Sequence, residues 1–255
     1  MYGIYVLGTA GSGKSMLTKS MEYFLTLKEI PCITVNLDPG ARNLPYSPTI
    51  DVRDYITLEE VMRKYNLGPN GGLIAAIDLL INYIDSIKEE ILAFDAQFAI
   101  IDTPGQMELF AFRSTGPRVI SCIADEIPSS AIFLIDGLLS VESPSNFVSS
   151  LLLGLSVRLR IPLPTVYAIS KVDLLSENDI EKILMWSEDA DNLLNELQLR
   201  ESDSSVIELS TSLCMLLQNF YAVSQLIPIS SETFEGFNEL IGTIEQLLLG
   251  GEERE

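Results

Sequence analysis

The sequence predicts an α/β fold: a doubly wound, mostly parallel β-sheet with a helical insertion between the second and third strands. Short apolar runs alternate with longer segments of helical pattern, which is the β-α-β order of a parallel sheet. The runs show no polar alternation, as expected for strands that helices cover on both faces. Roughly sixty residues separate the second run from the third, far more than a crossover needs. We therefore expect a single domain over residues 1–255, with the insertion at about residues 44–95.

Six short apolar runs are predicted to be the buried strands of this sheet. They are residues 2–8, 32–37, 98–102, 131–136, 165–170 and 226–230. Residues 176–220 are predicted to be mostly helical with acidic faces, and the final sequence GGEERE to be a short solvated tail. The Leu-rich residues 149–163 are predicted to form a core helix, with a place in an oligomer interface as the alternative.

The insertion is predicted to contain two helices, one on each side of the sequence LGPNGG at residues 67–72. The first, over residues 57–65, opens on Thr-x-x-Glu, the sequence of a capping box. The second is predicted over about residues 72–93, because Leu or Ile recurs at the spacing of one helix face. These positions are 77, 80, 81, 84, 87 and 91. Gly, Pro and Asn are the usual turn-forming residues, so LGPNGG by itself predicts a turn.

The balance of charge and the cysteine content exclude several classes of function. The chain has 16 Lys and Arg against 36 Asp and Glu, and its net charge of −20 opposes non-specific binding to nucleic acid or to anionic membranes. It contains no His, so histidine-based catalysis and histidine metal sites are excluded. Cys32, Cys122 and Cys214 match no disulfide or metal spacing and are expected to be buried free thiols. The chain lacks an apolar run long enough to span a membrane and a recognisable signal peptide, so we expect a cytoplasmic protein.

The segment GTAGSGKS at residues 8–15 fits the phosphate-binding pattern G-x-x-x-x-G-K-[ST], between a predicted strand and a helical segment. Its glycines allow backbone N–H groups to wrap a β-phosphate at the positive end of a helix. We expect Lys14 to neutralise the β- and γ-phosphates and the Ser15 hydroxyl to bind Mg²⁺. The predicted nucleotide-binding residues of this segment are Gly8, Ala10, Gly11, Ser12, Gly13, Lys14, Ser15 and Met16.

Two carboxylates lie where predicted strands end. Asp38 follows the second strand in NLDPG, and Asp102 ends the third in IIDTPG. Because open α/β sheets bind ligands at the carboxyl ends of their strands, both carboxylates are expected beside the phosphate loop. Together with Ser15 and phosphate oxygens, they are the predicted Mg²⁺ ligands, directly or through water. Gly105, which completes Asp-x-x-Gly, is expected to direct its backbone N–H at the γ-phosphate.

Gln106 and Glu108 come directly after this loop and are candidates for orienting the water that attacks the γ-phosphate. The alternative is that Gln106, Met107 and Glu108 simply begin a helix, where Glu108 interacts favourably with the helix dipole. The sequence alone leaves both interpretations open.

The sequence AISKVDLL is similar to the Asn-Lys-x-Asp motif that recognises guanine, with Ser170 in place of Asn. Asp173 can accept hydrogen bonds from N1–H and from the 2-amino group of guanine, a pair of donors that adenine does not offer. Lys171 can lay its aliphatic stem over the base. Ser230 and Ser231 follow the last predicted strand, in a loop whose backbone N–H groups are expected to bind guanine O6.

These motifs, in this order and spacing, resemble those of P-loop GTPases, and with Gly68, Pro69 and Asn70 in a helical insertion the chain looks like a GPN-loop GTPase over its whole length. The resemblance implies Mg²⁺-dependent hydrolysis of GTP to GDP and phosphate by a homodimer or a paralogous heterodimer. It also implies that the Gly-Pro-Asn loop of one subunit reaches the other's nucleotide, which would place Asn70 near the partner's γ-phosphate. Eukaryotic members of the family are linked to RNA polymerase assembly and nuclear import, so client proteins related to RNA polymerase are expected as partners.

The chain departs from the motifs of this family and its relatives in three respects. Ser170 should weaken the contacts that hold the base-binding loop in place. Some dimerising relatives carry a lysine early in the phosphate loop, where this chain reads TAG. No arginine has the spacing of an arginine finger; the candidates are Arg42, Arg53 and Arg113, of which the first two are expected on solvated loops.

The sequence therefore favours a Mg²⁺-dependent GTPase that works as a homodimeric switch on client proteins, with slow turnover because an Asn amide does less than an arginine. Catalysis is assigned to Lys14, Asp38, Asn70, Asp102, Gln106 and Glu108. One alternative is a P-loop nucleotide or metabolite kinase with the insertion as its lid, although such lids normally carry several Arg and residues 66–97 contain none. A second alternative is an ATP-driven assembly scaffold with negligible hydrolysis.

Overall fold

The computed structural model describes residues 1–200, 208–209, 212–213 and 226–252. The strands are β1 (Tyr2–Gly8), β2 (Cys32–Asn36), β3 (Ile50–Asp51), β4 (Phe98–Asp102), β5 (Ser129–Asp136), β6 (Thr165–Ser170) and β7 (Leu226–Pro228). They form one sheet in the order β3-β2-β4-β1-β5-β6-β7, and every pairing among them is parallel. The predicted doubly wound parallel sheet is confirmed, with β1 at its centre.

Helices lie on both faces of this sheet. They are α1 (Lys14–Leu27), α2 (Leu58–Tyr65), α3 (Pro69–Leu80), α4 (Ile84–Leu92), α5 (Met107–Ala111), α6 (Thr115–Ala124), α7 (Gly137–Glu142), α8 (Pro144–Arg160), α9 (Glu177–Glu188), α10 (Ala190–Arg200) and α11 (Phe237–Glu252). Side chains alternate across a strand, so β1 directs Ile4 and Val6 towards α1 and α11, and Tyr5 and Leu7 towards the core that α3, α4, α6 and α8 cover. Both sets are buried, which explains why the strand sequences show no polar alternation.

The edge strand β3 was not predicted from the sequence. It pairs with β2 as Val35 to Ile50 and Asn36 to Asp51, and two residues are too few to create a periodic pattern. The insertion at residues 44–95 therefore contains β3, and in chain order it lies between β2 and β4, which are the second and third of the predicted strands. The six predicted strands are confirmed, with β2, β5 and β7 differing by one or two residues at one end.

The helix predicted over residues 72–93 is in fact two helices, α3 and α4. Between them, the backbone N–H groups of Asn82 and Tyr83 donate to the carbonyls of Leu79 and Leu80, which makes a tighter turn. The apolar spacing survives this break, because both helices pack on the same core. The buried residues are Ile77, Leu80, Ile84, Ile87 and Ile91.

The sequence LGPNGG is the beginning of α3, so the prediction of a turn is wrong. Gly68 is the N-cap and Pro69 the first helical residue. Proline loses no helical hydrogen bond at this position, because an N–H there would have no partner within the helix. Gly72 is buried where α3 meets α2, and a Cβ there would lie 2.4 Å from Met62 Cγ. Local structure thus accounts for Gly72 and Pro69, but not for Asn70, which is exposed and hydrogen-bonds through its side chain to no described residue.

Several smaller expectations can be compared with the fold. The capping box of Thr57 and Glu60 is confirmed, and the Leu-rich residues 149–163 lie largely in α8, whose inner face is buried. Helices α9 and α10 confirm the helical prediction up to residue 200; beyond it, only residues 208–209 and 212–213 of the predicted segment are described, and they are helical. The predicted tail is partly helix, since α11 continues to Glu252, and residues 253–255 lie outside the described residues.

Two classes of side chain differ from expectation. Cys32 and Cys122 are free thiols but half-buried rather than buried, and Cys214 lies outside the described residues. Arg53 is not on a solvated loop: it is half-buried in a 3₁₀ turn and pairs with Asp51. Of the helices that are described, none is both long enough and apolar enough to cross a lipid bilayer.

Candidate functional site

The phosphate loop joins β1 to α1 at the carboxyl edge of the sheet. Gly11 and Gly13 have φ of +80° and +98°, a left-handed conformation that glycine adopts without strain. At Gly8 a Cβ would lie 2.7 Å from Ser12 Oγ, so only glycine lets the loop fold back this closely. Ser12 closes the loop by donating its N–H and its hydroxyl to the Thr9 carbonyl, at 3.2 and 2.9 Å. The loop precedes the first turn of α1, whose free N–H groups attract phosphate.

Lys14 folds back over this loop. Its Nζ donates to the carbonyls of Gly8 and Thr9, both at 2.9 Å, and the residue is 6% exposed. Burial lowers the pKa of Lys14, while nearby carboxylates, above all Asp102 and then Asp38, oppose that shift. An ammonium group has three N–H donors, so one remains for a phosphate oxygen.

Asp102 is the buried carboxylate of the site, with 1% of its surface exposed. Its Oδ2 accepts a hydrogen bond from the Tyr46 hydroxyl at 3.1 Å, and the Ser15 side chain interacts with the carboxyl group closely enough to lower its pKa. Its Oδ1 is buried and has no hydrogen-bond partner in the described part of the chain. Burial raises the pKa of Asp102 to about 6, although both hydroxyls act to lower it. A buried carboxylate with a free oxygen is costly unless a ligand supplies positive charge.

Asp38 joins the end of β2 to the loop that follows β4. Its Oδ1 accepts from the Gly40 N–H at 2.8 Å, and its Oδ2 accepts from the Gly105 N–H at 3.3 Å. Asn36 fixes this turn, because its Oδ1 accepts from the Asp38 N–H at 3.0 Å. The Gly105 N–H, which was expected to face a γ-phosphate, is therefore engaged by a carboxylate in this structure.

Gln106 and Glu108 lie at the start of α5. Gln106 is the N-cap, Glu108 is in the first turn, and both are exposed. The interpretation that these residues begin a helix is confirmed, and Glu108 lies where the helix dipole favours a negative charge. A role for either side chain in orienting water stays a prediction.

The base-binding loops are attached to the phosphate loop and to α1. Ser170 donates to the carbonyls of Ser12, at 2.8 Å, and Ile135, at 3.2 Å. Ser20 of α1 donates to the Ser231 carbonyl at 2.6 Å. Serine in place of asparagine thus still links the Lys-x-Asp turn to the phosphate loop, and the expected loosening is not seen in these contacts.

The Lys-x-Asp turn is fixed by two further contacts. Lys171 has a left-handed φ of +65°, and its Nζ forms an ion pair with Asp136 Oδ2 at 2.6 Å. Asp173 Oδ1 accepts from the Ser230 hydroxyl at 2.7 Å. The Asp173 side chain is otherwise exposed, which leaves Oδ2 available for a base.

Two residues of this site, Tyr46 and Asp136, were not found from the sequence. Asp136 ends β5 opposite Ser170 of β6, in the same way that Asp102 ends β4, so the rule of strand-end carboxylates could have found it. Tyr46 lies in the connection between β2 and β3, where no periodicity or motif distinguishes it.

The strand-end carboxylates and Ser15 form a donor set that fits Mg²⁺. Asp102 is level with Val6 of β1 and with Asn36 of β2 in the sheet, which brings β2, β4 and the phosphate loop to one edge. In the described ranges no cluster of three or more Asp, Glu, His or Cys could hold a metal ion alone. A cation here would need phosphate oxygens as well, as Mg²⁺ sites at nucleotides do, and the free Oδ1 of Asp102 offers a hard oxygen ligand.

Comparisons with known proteins agree over most of the chain. A family model described as "Conserved hypothetical ATP binding protein" matches residues 6–249. A GPN-loop GTPase of Pyrococcus abyssi is 33% identical over 239 residues, which are 93% of this chain and 93% of the relative. GPN-loop GTPase 3 of Kluyveromyces lactis is 30% identical over 99% of this chain and 94% of the relative. GPN-loop GTPase 1 of Dictyostelium discoideum is 32% identical over 94% of this chain, which spans only 60% of that longer relative.

One solved structure is similar over nearly its whole length. It is the apo form of a GTPase from Pyrococcus abyssi, with a TM-score of 0.84 and 31% sequence identity. The match covers 96% of this chain and 97% of that one, so the two share the parallel sheet and the helices around it.

Proposed function

Because this chain belongs to the GPN-loop GTPase family, we propose that it hydrolyses GTP to GDP and phosphate in a Mg²⁺-dependent reaction and acts as a homodimeric switch. The family membership carries the GTPase activity itself. The observation that carries the assignment of the site is the meeting of three parts at one edge of the sheet: the phosphate loop, the free oxygen of Asp102, and the Lys-x-Asp turn that Ser170 attaches to the loop.

The phosphate loop and Lys14 would bind the phosphates of the nucleotide. The carbonyls of Gly8 and Thr9 hold two of the three N–H groups of the Lys14 ammonium at the loop, so the third can meet a phosphate without a large movement. Backbone N–H groups at the start of α1 would surround the β-phosphate. Mg²⁺, when bound, would be held by Ser15, Asp38 and Asp102 and would neutralise charge on the phosphate oxygens.

Hydrolysis requires a water molecule in line with the γ-phosphate. We assign its orientation to Gln106 and Glu108, since both side chains are exposed at the start of α5, directly after the Gly105 N–H. Asn70 is exposed at the N-terminal end of α3, and its amide is free to reach the nucleotide of a partner subunit. A neutral amide stabilises developing charge less than an arginine does, so intrinsic turnover should be slow.

A homodimer places two equivalent Gly-Pro-Asn segments against two equivalent nucleotide sites, as a two-fold interface requires. Nucleotide state would then alter contacts with client proteins, among which those related to RNA polymerase are suggested by the family resemblance. The free thiols of Cys32 and Cys122 suit work in the reducing cytoplasm.

The choice between GTP and ATP tests the function most directly, since the family model's description speaks of ATP. We expect GTP, and not ATP, to displace a fluorescent GDP analogue. Asp173→Asn should weaken GTP binding about 100-fold, because an amide cannot accept from both donors of guanine. The same variant should gain affinity for xanthosine triphosphate, whose 2-carbonyl accepts from the amide. A preference for ATP, or equal binding of GTP by both proteins, would refute guanine recognition at Asp173.

A further inference from the structure

Tyr46 is the one aromatic side chain whose described hydrogen bond reaches a proposed metal ligand. It is 9% exposed, and its hydroxyl donates to Asp102 Oδ2 at 3.1 Å. It comes from the connection between β2 and β3, fifty-six residues away from Asp102 in sequence. The contact is therefore made only when the insertion folds against β4.

The two oxygens of Asp102 have different surroundings. The Tyr46 hydroxyl occupies Oδ2, whereas Oδ1 is buried and has no partner among the described residues. A hydrogen bond at one oxygen limits the rotation of a carboxyl group, and the Ser15 side chain, which also interacts with Asp102, adds to this restraint. Tyr46 thus helps to determine which oxygen of Asp102 is offered to a ligand.

The segment that carries Tyr46 is held at both ends. At one end, Arg53 Nη1 donates to the Ala41 carbonyl at 3.0 Å, and its guanidinium is itself fixed by Asp51. At the other end, the Thr49 N–H donates to the Thr34 carbonyl of β2 at 2.9 Å. These contacts explain the half-buried position of Arg53, and they restrict how far the tyrosine can move from Asp102.

Tyr46 also lines a cavity of about 600 Å³ beside α1. The same cavity is lined by Met16, the last residue assigned to the phosphate loop, and by Ser231 of the base-binding loop. The ring therefore lines this cavity while its hydroxyl reaches the carboxylate of Asp102. No described contact of Tyr46 competes for that hydroxyl.

We propose that Tyr46 is a positioning residue for the Mg²⁺ site: its hydroxyl fixes the Asp102 carboxylate so that Oδ1 faces the cation. This inference rests on the proposed Mg²⁺-dependent function. Tyr46 touches neither metal nor phosphate in this role and acts only through Asp102. Partners of this kind, one step removed from a metal, typically change metal affinity about 10-fold to 100-fold when they are lost.

The test is Tyr46→Phe, which removes one oxygen and keeps the ring. The readout is the Mg²⁺ concentration that half-maximally slows release of a fluorescent GDP analogue, which needs no catalysis. We expect the variant to require about tenfold more Mg²⁺ than the wild type. Its affinity for the analogue in EDTA should be unchanged, whereas a purely structural role for Tyr46 would alter both quantities.

Tyr55→Phe is the matched control. The Tyr55 hydroxyl donates to Glu90 at the surface of the insertion, so its loss should leave the Mg²⁺ requirement unchanged. A Tyr46→Phe protein with the wild-type Mg²⁺ requirement, or with a lower one, would overturn the inference; a lower one would mean that the hydroxyl competes with the cation. If Mg²⁺ does not slow GDP release even from the wild type, the metal site itself is refuted, and the role of Tyr46 with it.

Discussion

Asp38 and Gly105 are joined by a hydrogen bond, from the glycine N–H to Asp38 Oδ2, at 3.3 Å. The contact uses the donor that we assign to the γ-phosphate. It also lies beside α3, the helix that begins at the Gly-Pro-Asn sequence. Gly40 lies between the two, since a Cβ there would be 3.2 Å from Asp38 Oδ1 and 3.0 Å from Leu73 Cδ1 of α3. A γ-phosphate that takes the Gly105 N–H must therefore displace Asp38, next to the residues on which α3 packs.

The first prediction concerns this competition. We expect Asp38→Ala to bind a non-hydrolysable GTP analogue about threefold to tenfold more tightly, relative to GDP, because a carboxylate no longer competes with the γ-phosphate or repels it. Hydrolysis should fall at least about tenfold, since a proposed metal ligand and catalytic group is lost. The affinities are measured by titration in EDTA, so that the loss of a proposed Mg²⁺ ligand does not enter the comparison, and hydrolysis by single turnover with Mg²⁺.

Asp38→Asn separates charge from hydrogen bonding in this experiment. The amide oxygen can still accept from Gly105, but the negative charge is gone. If repulsion is the cause, Asp38→Asn should show most of the affinity change seen with alanine. The same ratio of analogue to GDP affinity in the wild type and both variants would contradict competition at Gly105.

The second prediction compares two neighbouring residues of α3. Asn70→Ala should leave the free energy of unfolding within about 0.5 kcal/mol of the wild type, because the side chain is exposed and contacts no described hydrogen-bond partner. GTP binding should persist, with at least a tenfold loss of hydrolysis. Gly72→Ala should do the reverse and destabilise the fold by about 1–3 kcal/mol, since its Cβ would lie 2.4 Å from Met62 Cγ. Urea titrations and GTPase assays distinguish the two.

The third prediction is that Asn70 acts across the dimer. Asn70→Ala and Lys14→Ala chains, co-expressed with different tags and purified through both, give mixed dimers. In a mixed dimer one nucleotide site has an intact Lys14 and receives Asn70 from the partner, so we expect about half of the wild-type activity. Mixed dimers as inactive as the two parents would show that Asn70 serves the nucleotide of its own subunit.

The phosphate loop could be read from the sequence because its chemistry is encoded in neighbouring residues. Gly11 and Gly13 must be glycine for their backbone to adopt positive φ, and Lys14 must follow at once to reach the loop carbonyls. Strand β4 could be read from FAIID for a similar reason, since burial on both faces demands an unbroken apolar run. Local requirements of this kind leave local patterns.

Tyr46 could not be assigned in this way because its partner is distant in the chain. The position of Asp136 at a strand end could have been read from the sequence, but its ion pair with Lys171 could not. Tyr46 bonds to Asp102 at a separation of 56 residues, and Asp136 pairs with Lys171 at a separation of 35. No spacing rule encodes contacts that form only when the insertion and the strands assemble. Strand β3 was missed because of its length, since two residues are too few to show a pattern.

The fourth prediction concerns the ion pair between Asp136 and Lys171. Asp136 Oδ1 caps α7 by accepting from the Leu138 N–H at 3.0 Å, while Oδ2 holds Lys171 at 2.6 Å. Asp136→Asn keeps a capping oxygen and loses the charge, so the fold should persist while Lys171 moves away from the base. We expect GTP and GDP affinities to fall equally, by about threefold to tenfold, with kcat unchanged.

A double-mutant cycle with Lys171→Met checks this assignment. If Asp136 acts only through Lys171, the double variant should bind GDP no more weakly than Lys171→Met alone. Losses that simply add would mean that Asp136 affects nucleotide binding by another route, such as the position of α7.

The last prediction follows from the buried carboxylate of Asp102 in the protein without nucleotide or metal. Burial raises the pKa of Asp102 from its ordinary value of 3.8 to about 6 in the folded state. Between these two values the unfolded chain loses a proton that the folded chain keeps. The stability that Asp102 contributes is therefore fully present below about pH 4 and is lost as the pH rises through about 6, at a cost of about 3 kcal/mol at pH 7.

Asp102→Asn removes this titration, so without ligands the variant should be more stable than the wild type at pH 7, by up to about 3 kcal/mol. The difference should shrink towards pH 4, which urea unfolding at pH 4, 5, 6 and 7 can follow. Adding GDP and Mg²⁺ should reverse the order at pH 7, because only the wild type offers a carboxylate to the cation. A stability difference that is the same at every pH would mean that Asp102 is ionised in the folded protein throughout the range. In that case the buried carboxylate of Asp102 would not destabilise the fold without ligands, and a bound cation would have no such destabilisation to relieve.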